Sequence, residues 1–193
     1  MSEKSSPNPT GAGKSSFDLI DSGLLFRALD LKPADIFLDL ACGRGVYTLA
    51  IAERFGKTGR IVGVDLWADG IAQLNAEARS RGLSKVEGLV GDAGAKIPVA
   101  DASVDVLLIA TALHDFYNDG IAEKTLLEVV RFIKPGGRIV IVEFKKIDGP
   151  PGPPIASRLA PEDVAELLEP HGFSGTPAID LGPFTYLMTF TRV

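Results

Sequence analysis

Three carboxylates and a pair of glycines are spaced for chemistry. Asp39 lies four residues before Gly43, inside the apolar run IFLDL (36–40), and Gly43-Arg44-Gly45 follows directly. Asp65 falls near the end of the next apolar run, RIVGVDL (60–66), 20 residues after Gly45 (65 minus 45), and Asp92 closes VEGLVGD (86–92). Glycines between a strand and a helix let backbone approach a ligand closely, and the helix start offers unpaired N–H groups to it. A carboxylate at the second strand end accepts both hydroxyls of a ribose. Together these describe a site for an adenosine-bearing cofactor. The dinucleotide fingerprint GxGxxG, or GxGxxA, fails at its last position, because Gly43-Arg44-Gly45-Val46-Tyr47-Thr48 ends on threonine. Asp39, predicted to be buried, is better explained by a cationic ligand group than by a phosphate.

A second set of residues falls after the later strands. His114, in TALHDFYND, is the one histidine near a predicted site, and imidazole is the natural base near neutral pH. A hydrogen-bonded structural histidine is the alternative. Asp115 either orients His114 or caps a helix, and Tyr117 either lines a pocket or covers the sheet edge. Glu143 in IVEF either faces an acceptor or pairs with Lys145 or Lys146. Cys42, the single cysteine, is expected to pack rather than to attack. With one cysteine and two distant histidines there is no metal-ligand spacing, so no metal site is expected.

These residues need a scaffold, and the hydropathy pattern supplies one. Apolar, β-branched runs at 36–40, 60–66, 86–92, 104–113 and 137–144 read as strands. Amphipathic runs at 45–56, 69–82, 121–133 and about 161–169 read as helices. Strands of this doubly apolar kind separated by helices predict an α/β fold, a parallel sheet covered on both faces. The chain ends differently. Phe184, Tyr186, Met188 and Phe190 alternate with Thr185, Leu187, Thr189 and Thr191 after a Gly182-Pro183 turn, which predicts two final antiparallel strands. IDGPPGPP (147–154) is a loop, and it is left open whether it closes over ligands or merely connects. One domain, 17–193, follows a flexible tail, 1–16. That tail holds GAGKSS (11–16), which has the last residues of a phosphate-binding P-loop. GxxxxGK[ST] requires glycine at position 8, where Asn8 stands, and a strand ahead, where Met1–Thr10 is polar and carries Pro7 and Pro9.

At 193 residues the chain has the size of one domain able to bury a core without disulfides. Its 46% hydrophobic and 23% charged residues are those of an ordinary globular protein. A net charge of -5 with no basic stripe argues against nucleic acid as a partner. No run approaches the length of a bilayer span, so the sequence reading is of a cytoplasmic protein without a membrane partner.

The ordered motifs resemble class I S-adenosylmethionine-dependent methyltransferases. FLDLACGRG is similar to that family's first motif, with Ala41 where its first glycine is usual. Asp65 in VGVDLW, Asp92 in VGDAG and the IKPGGRIVIVEF stretch (133–144) match its later motifs in order. The resemblance covers about 17–193, which would make this the methyltransferase domain. It implies a three-layer Rossmann-like sandwich, with a seven-stranded, mostly parallel sheet whose last strand is antiparallel. It also implies S-adenosyl-L-methionine as cofactor and a small-molecule methyl acceptor. On that resemblance Asp39 anchors the ammonium, Ala41, Gly43, Gly45 and Thr111 line the cofactor, and Asp65 takes the ribose. Leu66 and Trp67 then pack on adenine while Asp92 and the Ala93 amide read its edge. His114 and Glu143 are the candidate catalytic residues. The alternatives are a nicotinamide-dependent, NAD(P)-type oxidoreductase and a non-catalytic S-adenosylmethionine-binding module.

Overall fold

The structure, a computed structural model, describes residues 13–56 and 59–193. After a 3-10 turn at Phe17–Leu19, the elements run α1 (Ser22–Leu29), β1 (Ile36–Leu40), α2 (Val46–Arg54), β2 (Arg60–Asp65) and α3 (Ala68–Ser80). They continue through β3 (Val86–Val90), β4 (Val104–Ala110), α4 (Leu113–Asn118), α5 (Ala122–Phe132) and β5 (Ile133–Phe144). The chain then ends with α6 (Pro161–Leu168), β6 (Phe173–Gly175), β7 (Ile179–Asp180) and β8 (Thr185–Arg192).

The sheet order is β3-β2-β1-β4-β5-β8-β6, with β7 paired to β8 off that path. The first five strands of this order are parallel, and β8 runs antiparallel between β5 and β6. The expected sheet has seven strands; eight are present among the described residues. The chain before β8 pairs with it twice, at Phe173–Gly175 and again at Ile179–Asp180, and the stretch between leaves the ladder. The predicted turn at Gly182-Pro183 does lead into the long antiparallel strand.

Alternation along the strands sorts side chains to two faces. Leu38, Leu40, Val62, Val64, Leu107, Ile109, Ile139 and Ile141 pack with Leu126, Val129, Val164 and Leu168 of α5 and α6. Phe37, Ile61, Val106, Leu108, Val140 and Val142 pack on the other face with Leu25 and Leu29 of α1 and Ile51 of α2. Three layers result, as expected. Helix α5 presents Leu126, Val129 and Phe132 to the sheet from one stripe. Helix α1 starts where Asp21 accepts the Leu24 N–H at 3.0 Å, and α6 where Asp163 accepts the Ala160 N–H at 2.7 Å. Gly45, at the head of α2, has φ +78, and a Cβ there would lie 2.3 Å from Leu74, so the α2–α3 contact requires glycine.

Candidate active site

The strand order reverses between β1 and β4. In an open parallel sheet this is where ligands settle, outside the carboxyl ends of the strands. Two residues with left-handed backbone mark the spot: Ala41, just after β1, has φ 60, and Thr111, just after β4, has φ 51. For non-glycine residues each costs about 1–3 kcal/mol, strain that surrounding structure must hold.

Asp39 is 1% exposed and its Oδ2 accepts the Thr48 hydroxyl at 2.6 Å. Thr48 therefore occupies the position at which the dinucleotide pattern failed, and its hydroxyl serves the buried acid. Burial pushes the Asp39 carboxyl up to about 7, with the Thr48 bond opposing and the charge of Asp65 adding to the rise. Asp65, at the end of β2, binds backbone through both oxygens. Oδ2 accepts the Gly43 N–H and Oδ1 the Trp67 N–H, each at 2.7 Å. It thereby ties the glycine loop to the start of α3. A Cβ at Gly43 would meet nothing within 4 Å, so that loop is open on its outer side. Leu66 beside it is 58% exposed.

Trp67 lies back on Gly70, and the enclosed Trp67 Nε1 has no hydrogen-bond partner among the described residues. Asp92 is exposed and accepts the Gly94 N–H at 2.8 Å, closing its own turn, and the Ala93 carbonyl accepts the Thr125 hydroxyl at 3.0 Å. Asp39, Gly43, Gly45, Asp65, Leu66 and Trp67 thus meet at the ends of β1 and β2, with Asp92 and Ala93 beyond β3. Cys42 is packed under the loop. Burial and the nearby Asp39 and Asp65 charges push its thiol well above the ordinary range, which fits the packing role expected of it.

The N-terminal segment also reaches this point. Residues 1–12 of the expected tail, including Asn8 and most of the P-loop-like stretch, lie outside the described residues. Lys14 is exposed, but Ser16 is buried. The Ser16 hydroxyl lies 2.9 Å from Tyr47 Oη and 3.0 Å from Thr111 Oγ1, and Phe17 meets the Tyr47 ring edge-on at 5.0 Å. Sequence reasoning assigns no site role to Ser16, Tyr47 or Thr48. Their partners are 9 to 95 residues away, and no motif signals them.

On the opposite face of the sheet, His114 and Glu143 form a buried pair. Nδ1 of His114 lies 3.0 and 2.8 Å from the two carboxylate oxygens of Glu143. Glu143 also accepts the backbone N–H groups of His114 and Phe144. The choice left open for Glu143 resolves toward histidine. Lys145 instead bonds the Gly182 carbonyl and Asp180, and Lys146 bonds Asp163. On its other side, His114 Nε2 lies 3.4 Å from Asp115. Burial alone would lower the affinity of His114 for its proton, but the bond to Glu143 and the charges of Glu143 and Asp115 outweigh it and raise the pKa. Asp115 is raised in turn by desolvation against the pull of His114. Within the described residues no group of three or more His, Cys, Asp or Glu is arranged to hold a metal ion. Nor is any helix there long and apolar enough to cross a membrane.

A family model described as a methyltransferase domain matches residues 31–169. The chain belongs to that family. Among curated proteins this methyltransferase-family chain is 33% identical over 128 residues to the ubiquinone/menaquinone biosynthesis C-methyltransferase UbiE of Hydrogenovibrio crunogenus, covering 62% of this chain and 46% of that protein. It is 30% identical over 125 residues to a demethylmenaquinone methyltransferase of Lactobacillus johnsonii, covering 65% and 50%. The chain spans about half the length of the curated relatives it matches. A solved structure, a SAM dependent methyltransferase from Aquifex aeolicus, has a TM-score of 0.83 at 24% identity over 93% of each chain, a likeness of fold. The expected class I, S-adenosylmethionine-dependent type stands, and the nicotinamide-dependent alternative gains no support.

Proposed function

We propose that this chain transfers a methyl group from S-adenosyl-L-methionine to a carbon of a small, electron-rich ring of the quinol type. The observation that carries the reading is Asp65. Its carboxylate holds the glycine loop through Gly43 and the head of α3 through Trp67, at a strand end beside the open Gly43 face. Each of its oxygens spends one acceptor position on backbone and keeps another for a hydroxyl. The chemistry of the surrounding donors fits the cofactor. A buried carboxyl raised to about 7 calls for a cation, which the ammonium supplies. The exposed Leu66 offers an apolar face for adenine, and nothing in the set calls for phosphate.

S-adenosylmethionine, when bound, supplies a methyl group activated by a positive sulfur. The chain's own contribution is to align the reactants and exclude water, and to receive a proton where the acceptor must lose one. His114 is the group for that task. Glu143 fixes its Nδ1, so the ring presents Nε2, and Asp115 beside Nε2 stabilises the protonated ring. The quinol class rests on the names of the relatives at 33% and 30% identity, both C- or menaquinone-directed.

A thermal-shift panel tests the cofactor: S-adenosylmethionine and S-adenosylhomocysteine should each stabilise the chain, and stabilisation by NAD alone would overturn the reading. Methyl-labelled S-adenosylmethionine with a short-chain demethylmenaquinol then tests the acceptor. Label in the lipid-soluble product is expected, and cofactor binding without transfer to this quinol or simpler phenols would leave only the non-catalytic module.

A further inference from the structure

Arg158 is 2% exposed, and all five of its guanidinium N–H groups go to backbone carbonyls. Nε donates to Pro153 at 2.8 Å, Nη1 to Lys145 at 3.0 Å and Ile147 at 2.7 Å, and Nη2 to Gly149 at 2.7 Å and Pro151 at 3.0 Å. These are the alternate residues from 145 to 153, so a bent segment curls its carbonyls around a single planar cation. The composition suits this. Prolines carry an acceptor and no donor, so a Pro-rich loop has surplus carbonyls that only an outside donor can satisfy.

The caged cation is bound into the His114 site by three further links. Its Cζ stands 5.7 Å from the centroid of the Phe144 ring, whose centroid is 6.3 Å from that of the His114 ring. Gly152, at φ +101, rests on the same ring, where a Cβ would come within 2.8 Å of Phe144. Asn118 Nδ2 bridges the His114 carbonyl at 2.6 Å and the Ser157 carbonyl at 3.0 Å, next to Arg158. The groups facing His114 are therefore Glu143 from β5, Asp115 on its own helix and Arg158 from the loop, with the Tyr186 hydroxyl of β8 near Glu143 and bonded to the Leu159 carbonyl at 2.9 Å.

We propose that Arg158 is a positioning residue of the acceptor site: its caged guanidinium locks residues 145–153 as a fixed wall against Phe144 and balances the charge of the His114–Glu143 pair. The segment is then neither a lid nor a passive connector. The proposal rests on the methyltransferase reading for the word acceptor, while the coupling of Arg158 to His114 through Phe144 and Asn118 stands without it. Arg158 opposes the two carboxylates and restrains the proton affinity they give His114. Lysine cannot replace it fully, since an ammonium has three donors for five carbonyls.

The chain has only two histidines, so NMR titration resolves His114 once His171→Gln removes the other signal. In Arg158→Ala the His114 midpoint should rise, and trypsin cleavage after Lys146 should quicken by about tenfold or more, because local opening governs proteolysis. Guanidinium at millimolar concentration should refill the cage and reverse both changes. Arg158→Lys should hold the His114 midpoint near wild type yet lose loop protection, and it carries the test should the alanine variant not fold. Affinity for S-adenosylhomocysteine, measured by calorimetry, should be unchanged. An unmoved His114 midpoint with intact protease protection would overturn the proposal, as would a tenfold loss of S-adenosylhomocysteine affinity. Absence of S-adenosylhomocysteine binding in the wild type would instead sink the methyltransferase reading and leave the Arg158–His114 coupling to be judged on titration and proteolysis.

Discussion

Cofactor binding should expel a proton from Asp39. The carboxyl is buried to 1% exposure and bonded to Thr48, and desolvation raises it from 3.8 to about 7. A fixed ammonium nearby favours the charged form and should return the group to the ordinary carboxylate range. At pH 6 roughly 0.9 of the free molecules carry the proton and at pH 7 about half, so binding should release about 0.9 and about 0.5 protons respectively. Calorimetry in two buffers of different ionisation enthalpy reads that number as the slope of observed heat against buffer enthalpy. S-adenosylmethionine and S-adenosylhomocysteine should give the same slope, and methylthioadenosine, which lacks the ammonium, none. Asp39→Asn should abolish the release while Thr48 keeps an acceptor. The same raised value has a consequence without ligand. The folded state keeps a proton that the unfolded chain loses near 3.8, so stability falls as pH rises from about 4 to 7, by roughly 4 kcal/mol at most. A zero slope at pH 6 for the wild type, or an equal slope in Asp39→Asn, would refute the placement of the ammonium.

Asp65→Ala should weaken S-adenosylhomocysteine binding by about 10- to 100-fold, since charge-assisted bonds are each worth about 1.5–3 kcal/mol, and an unchanged calorimetric Kd would place the ligand elsewhere. Lys14→Ala, by contrast, should leave that Kd as it is, because the side chain is exposed and no phosphate is to be held. The pKa of His114 is raised in the fold, so its contribution to stability is full below the ordinary 6.5 and is lost as pH climbs through the folded value. Denaturant melts of wild type against His114→Gln across that window should diverge at low pH and converge above it. Leu168→Ala, at a fully buried position on α6, should cost about 2–5 kcal/mol in the same assay without touching either site.

How far these features were legible depended on whether they were periodic or paired at a distance. The strand at 36–40 was read to the residue, because a short doubly apolar run is all that a central parallel strand requires. Helix α5 and strand β8 followed from their spacing. The fourth strand was read to 113 but ends at Ala110, since Thr111-Ala112-Leu113 continues the mixed apolar pattern while Thr111 turns at φ 51, which hydropathy does not register. Helix α1 was passed over although Asp21 caps it and Leu25 and Leu29 are four apart; eight residues give the period two turns and little contrast. Helix α4, at six residues, gives less. The acids of the cofactor side were readable because each lies at or within two residues of a strand end. The partner of Glu143 was not, because two lysines adjoin it in sequence while His114, 29 residues earlier, reaches it through the pairing of β4 with β5.

Strand parity places the two buried carboxylates on different faces of the sheet. Asp39 shares the parity of Phe37 on β1 and so faces α1 and α2, while Glu143 shares the parity of Ile139 and Ile141 on β5 and faces α4 to α6. The sheet stands between them. Glu143 is permanently matched by His114 and two backbone N–H groups, so its charge is spent within the protein. Asp39 has one hydroxyl and no cation among the described residues, and burial raises its proton affinity to a midpoint of about 7. A register slip of one residue in either strand would bring that strand's acid to the other face. The strained turns at Ala41 and Thr111 end β1 and β4 just beside this division, and the Thr111 N–H donates to the Val142 carbonyl at 2.7 Å, next to Glu143. The sheet thus separates a carboxyl that waits for positive charge from one already matched by its own histidine, so the proposed transfer, which needs its reactants in contact, belongs past the ends of β1 and β4 rather than across the sheet.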